Sequence, residues 1–109
     1  MSEMKNTLRI LMIEDVETDY LIISRHIRKS GLEADLHWVK DKTELTAALA
    51  QGPWDLILSD YKVTGLDFLE TLRLLHRQLP DVPVILVSGS VGEELAVDLL
   101  KQGLNDFVL

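Results

Sequence analysis

Three short runs in this chain are too apolar to be strands with one wet face. Leu8–Ile13 is interrupted only by Arg9, and Asp55–Ser59 and Pro83–Ser88 are similarly hydrophobic. A sheet packed on one side alternates apolar and polar residues, whereas a strand buried on both faces reads as a continuous apolar run. The segments between these runs follow helical spacing. Val16, Tyr20, Ile23 and Ile27 share one face, closed by Ser30-Gly31. Asp41 with Glu44 forms a capping-box pattern opening a short helix that turns Leu45, Ala48 and Leu49 inward, up to Gly52-Pro53. Leu69, Leu72, Leu75 and Leu79 predict a third helix ended by Pro80. Ser90 with Glu93 predicts a capping box for a fourth, carrying Leu95, Ala96, Leu99 and Leu100 and stopping at Gly103. Ala34–Val39 is a more polar run containing Asp35 and His37, which suits an edge strand, and Phe107-Val108-Leu109 begins a fifth strand. Five strands alternating with four helices predict an α/β fold, a parallel sheet with helices on both faces.

The length of 109 residues fits one domain around one core. The expected domain therefore runs over 1–109, with a flexible N-terminus at 1–6. Eleven Lys and Arg against eighteen Asp and Glu give a net charge of −7. That balance disfavours nucleic acid as a direct partner, because phosphate backbones are bound by clustered positive charge. There is no Cys, and so no disulfide framework, thiolate metal site or thiol nucleophile. The opening MSEMKNTLRI lacks the apolar core of a signal peptide, and no stretch approaches the roughly 18 apolar residues of a membrane span. The expected location is cytoplasmic, with no membrane partner.

In parallel α/β sheets, ligands sit in the crevice at the carboxyl ends of the strands. Three strands here end in polar groups: the first runs into Glu14-Asp15, the third into Asp60, and the fourth into Ser88. If neighbouring strands are aligned, three carboxylates and a hydroxyl converge. Crowded carboxylates stay ionised at neutral pH only when something positive offsets them. Hard oxygen donors without Cys or paired His suit Mg²⁺ or Mn²⁺ rather than zinc. A carboxylate beside such a cation can attack a phosphoryl group and form an acyl phosphate, a reaction that depends mostly on positioning and charge neutralisation.

These residues resemble the response-regulator receiver domains of two-component signal transduction, over essentially the whole chain. The similarity is carried by Glu14-Asp15 after the first strand, DLILSDYKVTG with Asp60 at the third strand's end, VILVSG with Ser88, and GLNDFVL leading into the last strand. The resemblance implies a flavodoxin-like, doubly wound sheet with strand order 2-1-3-4-5. It implies that Asp60 accepts a phosphoryl group from a histidine kinase, a histidine phosphotransfer protein or a small acyl phosphate. Asp15 and Asp60 would bind Mg²⁺ (or Mn²⁺), with Glu14 acting mostly through a metal-bound water and the carbonyl of Lys62 as a further ligand. Ser88 would bind a phosphoryl oxygen, and Phe107 stands where the family has its aromatic switch residue. The protein would then be a phosphoprotein switch acting on a downstream effector or a fused output domain. Its only chemistry would be Mg²⁺-assisted self-phosphorylation and autodephosphorylation.

This sequence departs from the family pattern in three places. The family's invariant Lys belongs directly after Leu109, and the expectation is that it and a final helix follow the sequence given. Thr64 replaces the usual Pro before Gly65, which predicts a less rigid loop with its chemistry intact. Lys62, two residues after the acceptor, lies where family members vary and tune dephosphorylation.

The remaining candidates read as structural. His26, His37 and His76 lie on separate elements without metal-ligand spacing, and Trp38 and Trp54 read as packing residues. The Gly89–Gly92 spacing is not a dinucleotide loop, no Gly-x-x-x-x-Gly-Lys exists, and neither Ser88 nor Ser90 sits in a Gly-x-Ser-x-Gly elbow. Two other functions compete with the switch. A receiver-like module could use the same fold for interaction without being phosphorylated. A Mg²⁺-dependent phosphohydrolase would usually carry a second acid/base Asp two residues after its nucleophile, where this chain has Lys62.

Overall fold

The computed structural model describes residues 7–88 and 91–108. Residues 1–6, Gly89, Ser90 and Leu109 lie outside the described residues, and with them the expected flexible N-terminus and the Ser90 end of the expected capping box. Nine elements alternate along the chain: β1 (Leu8–Ile13), α1 (Glu17–Lys29), β2 (Ala34–Val39), α2 (Lys42–Leu49), β3 (Leu56–Ser59), α3 (Phe68–Gln78), β4 (Val84–Val87), α4 (Glu93–Lys101) and β5 (Asp106–Val108). All strand pairings are parallel, and the order is β2-β1-β3-β4-β5. The expected flavodoxin-like order is therefore present, with the polar run Ala34–Val39 at an edge.

The continuous apolar runs are explained by two cores, one on each face of the sheet. On one face Leu11, Ile13, Ile57, Val84 and Leu86 meet α2, α3 and α4 through Leu45, Ala48, Leu72, Leu75, Ala96 and Leu99. On the other, Ile10, Met12 and Leu58 meet Tyr20, Ile23 and Ile27 of α1. Successive residues of β1 thus serve opposite cores, and neither set can be polar. The one charge in that run leaves the sheet: the Arg9 guanidinium lies 4.5 Å over the Trp54 ring and donates to the carbonyls of Gln51 and Pro53.

The Asp41 cap accepts from the Glu44 N–H at 2.9 Å, and Glu44 reaches back to the Lys40 N–H at 2.8 Å. Two sequence expectations need correction, that Val16 shares the α1 stripe and that a Ser90 capping box opens α4. Val16 is 43% exposed because α1 begins at Glu17, so Val16 is an extended N-cap outside the helical stripe. Leu95 and Leu100 are also exposed, because the buried stripe of α4 is only Ala96 and Leu99, and the other two flank it. At the start of α4 the N-cap is Gly92, with no side-chain bond. The turn after α4 requires glycine twice over: Gly103 has φ +111, and a Cβ there would sit 2.6 Å from Cε1 of His76.

Leu86 is fully buried at the centre of the larger core. Leu86→Ala should cost about 2–5 kcal/mol of unfolding free energy in urea titrations, the range for large-to-small core substitutions. Leu21→Ala, at a half-exposed site on α1, should stay within about 0.5 kcal/mol of wild type.

Candidate functional site

Strand register assembles the site. Ile13 pairs with Ser59 across β1 and β3, and the Asp60 N–H continues the ladder by donating to the Ile13 carbonyl at 3.0 Å. Glu14 and Asp60 therefore emerge side by side at the carboxyl edge of the sheet. On the other flank Ser59 pairs with Leu86, which brings Ser88 to the same edge one residue beyond β4. The backbone N–H of Ser88 donates to the Val108 carbonyl, and its residue is buried. Phe107 pairs with Leu86 and is half-buried against the larger core.

Glu14, Asp15 and Asp60 each offer a carboxylate oxygen, and these atoms all lie within 4.8 Å of one another. The expected convergence of three carboxylates is thus present. Each is held by the protein. Glu14, 2% exposed, accepts from the Val16 N–H at 3.1 Å. Asp60 Oδ1 accepts from the Tyr61 N–H at 2.8 Å, while the Ser59 hydroxyl donates to the Asp60 carbonyl. Asp15 Oδ2 accepts from both the hydroxyl and the backbone N–H of Thr64, at 2.7 and 3.0 Å. Lys62 is exposed in the turn after Asp60.

Electrostatically this is a crowded anionic corner. Burial pushes the Glu14 carboxyl up to about 7, helped by the charges of Asp60, Asp19 and Asp15 and opposed by the Val16 N–H. Asp15 moves the opposite way, held below its ordinary value chiefly by the Thr64 hydroxyl and then by the Thr64 N–H. Among the described residues, no ion pair reaches any of the three carboxylates; the recorded pair, Lys40–Glu44, lies elsewhere. A hard divalent cation fits this donor set. It would supply the missing positive charge, and three oxygen ligands still leave positions for water and phosphate.

Two residues act on the site in ways that the sequence did not reveal. Trp38 lies half-buried, stacked on Tyr20 with ring centroids 4.5 Å apart, and its indole N–H donates to the Glu14 carbonyl at 2.6 Å. The signal was its place at the carboxyl end of β2, beside β1, in a residue that usually finds a partner for its N–H when buried. Thr64 is the other, and its donors explain how a loop without the usual Pro is tied down. His26, His37 and His76 take no part in any metal-compatible cluster among the described residues.

Comparisons with known proteins agree with this geometry. The family described as response regulator receiver domain matches residues 10–109. The chain is 33% identical over 102 residues to the C4-dicarboxylate transport transcriptional regulatory protein DctD of Pseudomonas aeruginosa, covering 86% of this chain and 22% of that protein. It is 37% identical over 79 residues to the autoinducer 2 sensor kinase/phosphatase LuxQ of Vibrio cholerae, covering 72% of this chain and 9% of that one. The chain thus spans less than a quarter of either relative. Among solved structures, a response regulator protein from Burkholderia pseudomallei with a phosphorylated aspartic acid, calcium ion and citrate superposes with a TM-score of 0.77. It shares 19% identity, over 92% of this chain and 58% of that one.

The raised Glu14 pKa carries a sign for stability. The folded state holds this proton more tightly than the unfolded chain, so above the ordinary value of 4.5 the unfolded state gains from ionising first. Stability of the metal-free protein should fall as pH rises from about 4.5 to about 7 and stay lowered above. Glu14→Gln should remove that fall and be the more stable form at pH 8, by about 1–3 kcal/mol at about 1.4 kcal/mol per pKa unit. Urea titrations of both proteins at pH 5 and pH 8 measure the difference.

Proposed function

Since the chain belongs to the response-regulator receiver domains, we propose that Asp60 is its phosphoacceptor and that the domain is a phosphorylation-dependent switch. The observation that carries this reading is the meeting of Glu14, Asp15 and Asp60 within 4.8 Å at the carboxyl edge of the sheet. The similar structure from Burkholderia pseudomallei contains a phosphorylated aspartic acid and a calcium ion, which supports assigning phosphoaspartate chemistry to this chain.

The donor is a phosphohistidine of a histidine kinase or phosphotransfer protein. Asp60 Oδ1 is engaged by the Tyr61 N–H, so Oδ2 is the attacking oxygen. It forms a bond to phosphorus as the phosphorus–nitrogen bond breaks, and the imidazole leaves with the electron pair. Asp15, Asp60 and the Lys62 carbonyl would hold a Mg²⁺ or Mn²⁺ ion, with Glu14 contributing mostly through water, and such an ion would supply positive charge to the phosphoryl oxygens. Ser88 donates its hydroxyl to one of those oxygens, and the half-buried Phe107 repacks as that loop shifts. The changed surface around α4 and β5 is what a downstream effector or fused output domain senses. Among the described residues no helix is long and apolar enough to cross a membrane. The crowding of the three carboxylates favours this reading over an interaction module that is never phosphorylated, which would have no use for the repulsion.

Incubation with Mg²⁺ and acetyl phosphate should add the mass of one phosphoryl group, and Asp60→Asn should abolish the gain. An unchanged mass for the wild-type protein by intact mass spectrometry would count for the inert module. Lys62 is exposed two residues beyond Asp60, where its ammonium can pair with the attached phosphoryl group and hinder water. Lys62→Ala should therefore shorten the acyl-phosphate lifetime, followed by the decay of the same mass species; an unaltered decay would remove Lys62 from the mechanism.

A further inference from the structure

The loop from Asp60 to α3 folds back through a tight turn at Val63–Leu66. The Leu66 N–H donates to the Val63 carbonyl at 3.0 Å, and Gly65 has φ +82. This is the pattern of a type II turn, in which the third residue needs a positive φ and the second is a favoured place for Pro. Thr64 stands at that second position. A proline there would have no N–H and no hydroxyl, whereas Thr64 keeps both, and both donate to Asp15 Oδ2. The two residues are far apart in sequence, so the contact ties the β3–α3 loop to the β1–α1 loop.

Besides Thr64, the groups that bear on the Asp15 carboxylate are its own backbone N–H and the Glu14 carboxyl beside it. Asp15 is only half-buried and sits in the loop after β1, outside the strand ladder. A carboxylate in that setting samples several rotamers, and fixing one of them for a cation costs conformational entropy. Two hydrogen bonds to a single oxygen fix the side chain's direction. The threonine that donates them is itself stiff at χ1, because it is β-branched. Partners of this kind, which orient a metal-binding carboxylate without touching the metal, change metal affinity when removed.

We propose that Thr64 is a positioning residue for the cation site, fixing the Asp15 carboxylate through its hydroxyl and backbone N–H so that it faces Glu14 and Asp60 before any ion arrives. The inference rests on the reading of Glu14, Asp15 and Asp60 as a Mg²⁺ site. It predicts that this chain has exchanged the turn's usual proline for a donor pair. The contribution comes from the hydrogen bonds and is separable from the stiffness of the turn.

The test is calorimetric titration of Mg²⁺ into the metal-free protein at pH 8, alongside its melting temperature. Thr64→Val removes the hydroxyl with little change of shape. Thr64→Pro keeps the turn and removes both donors. Thr64→Ser keeps both donors. Val and Pro should raise the Kd for Mg²⁺ by about tenfold or more, the effect expected for such supporting partners, while Ser keeps the wild-type value. In an Asp15→Asn background, Thr64→Val should cause no further loss of affinity. Equal or tighter Mg²⁺ binding by the Val and Pro variants would overturn the inference, since Thr64 would then be idle or competing with the ion for Oδ2. Loss of affinity by Ser equal to that of Val would also overturn it, because keeping both donors would then not preserve the site. If the wild-type protein itself binds no Mg²⁺, the cation-site reading fails first and takes this one with it.

Discussion

Everything at the functional edge depends on the pairing of β1 with β3. Because Ile13 stands opposite Ser59 and the ladder extends to the Asp60 N–H, the next residues of both strands must leave the sheet together. A slip of one residue would turn every side chain of a strand to the other face. That slip is blocked from both sides, since Leu11 and Ile13 belong to one core and Ile10 and Met12 to the other. The hydrophobic effect thus fixes a register whose functional consequence is electrostatic. Burying those methyl groups is what forces the negative side chains into proximity, and no local attraction among them is required.

The crowding has a cost that the fold tolerates. Glu14 is almost inaccessible to water, and its ionised form is opposed both by desolvation and by its acidic neighbours. Among the described residues, the group that offsets this is the Val16 N–H. Asp15, one residue along, is stabilised in its charged form by the Thr64 donors. Adjacent acidic residues therefore sit in opposite environments. Such pairs are common where a protein keeps a site poised for a ligand at some expense of stability.

Much of this was legible beforehand because the relevant signals are periodic. Continuous apolar runs specify strands covered on both faces, and a run carrying Asp35 and His37 specifies an edge. The acidic residues at the strand ends followed from the same pattern once the sheet was taken as parallel. What escaped was contact between segments distant in the chain. Trp38 reads as packing in sequence, and only the placement of β2 beside β1 brings its N–H to the Glu14 carbonyl. Thr64 reads as a missing proline, and its partner Asp15 lies in another loop. The boundaries of helical stripes were also blurred: Val16, Leu95 and Leu100 fit an apolar period, but a short helix buries a narrower strip than its sequence offers. The strand order itself came from likeness to a family, because periodicity gives the elements without their neighbours.

The two ends of α4 are closed in different ways. Its final turn runs through Gly103, whose backbone lies against the His76 ring with no room for a methyl group, and on to the buried Leu104. Its first turn begins at Gly92 without a side-chain cap, on the side nearer Ser88. Both ends are nevertheless anchored by apolar residues just outside the helix, Val91 and Leu104, which belong to the larger core, and the uncapped first turn carries the two negative charges of Glu93 and Glu94.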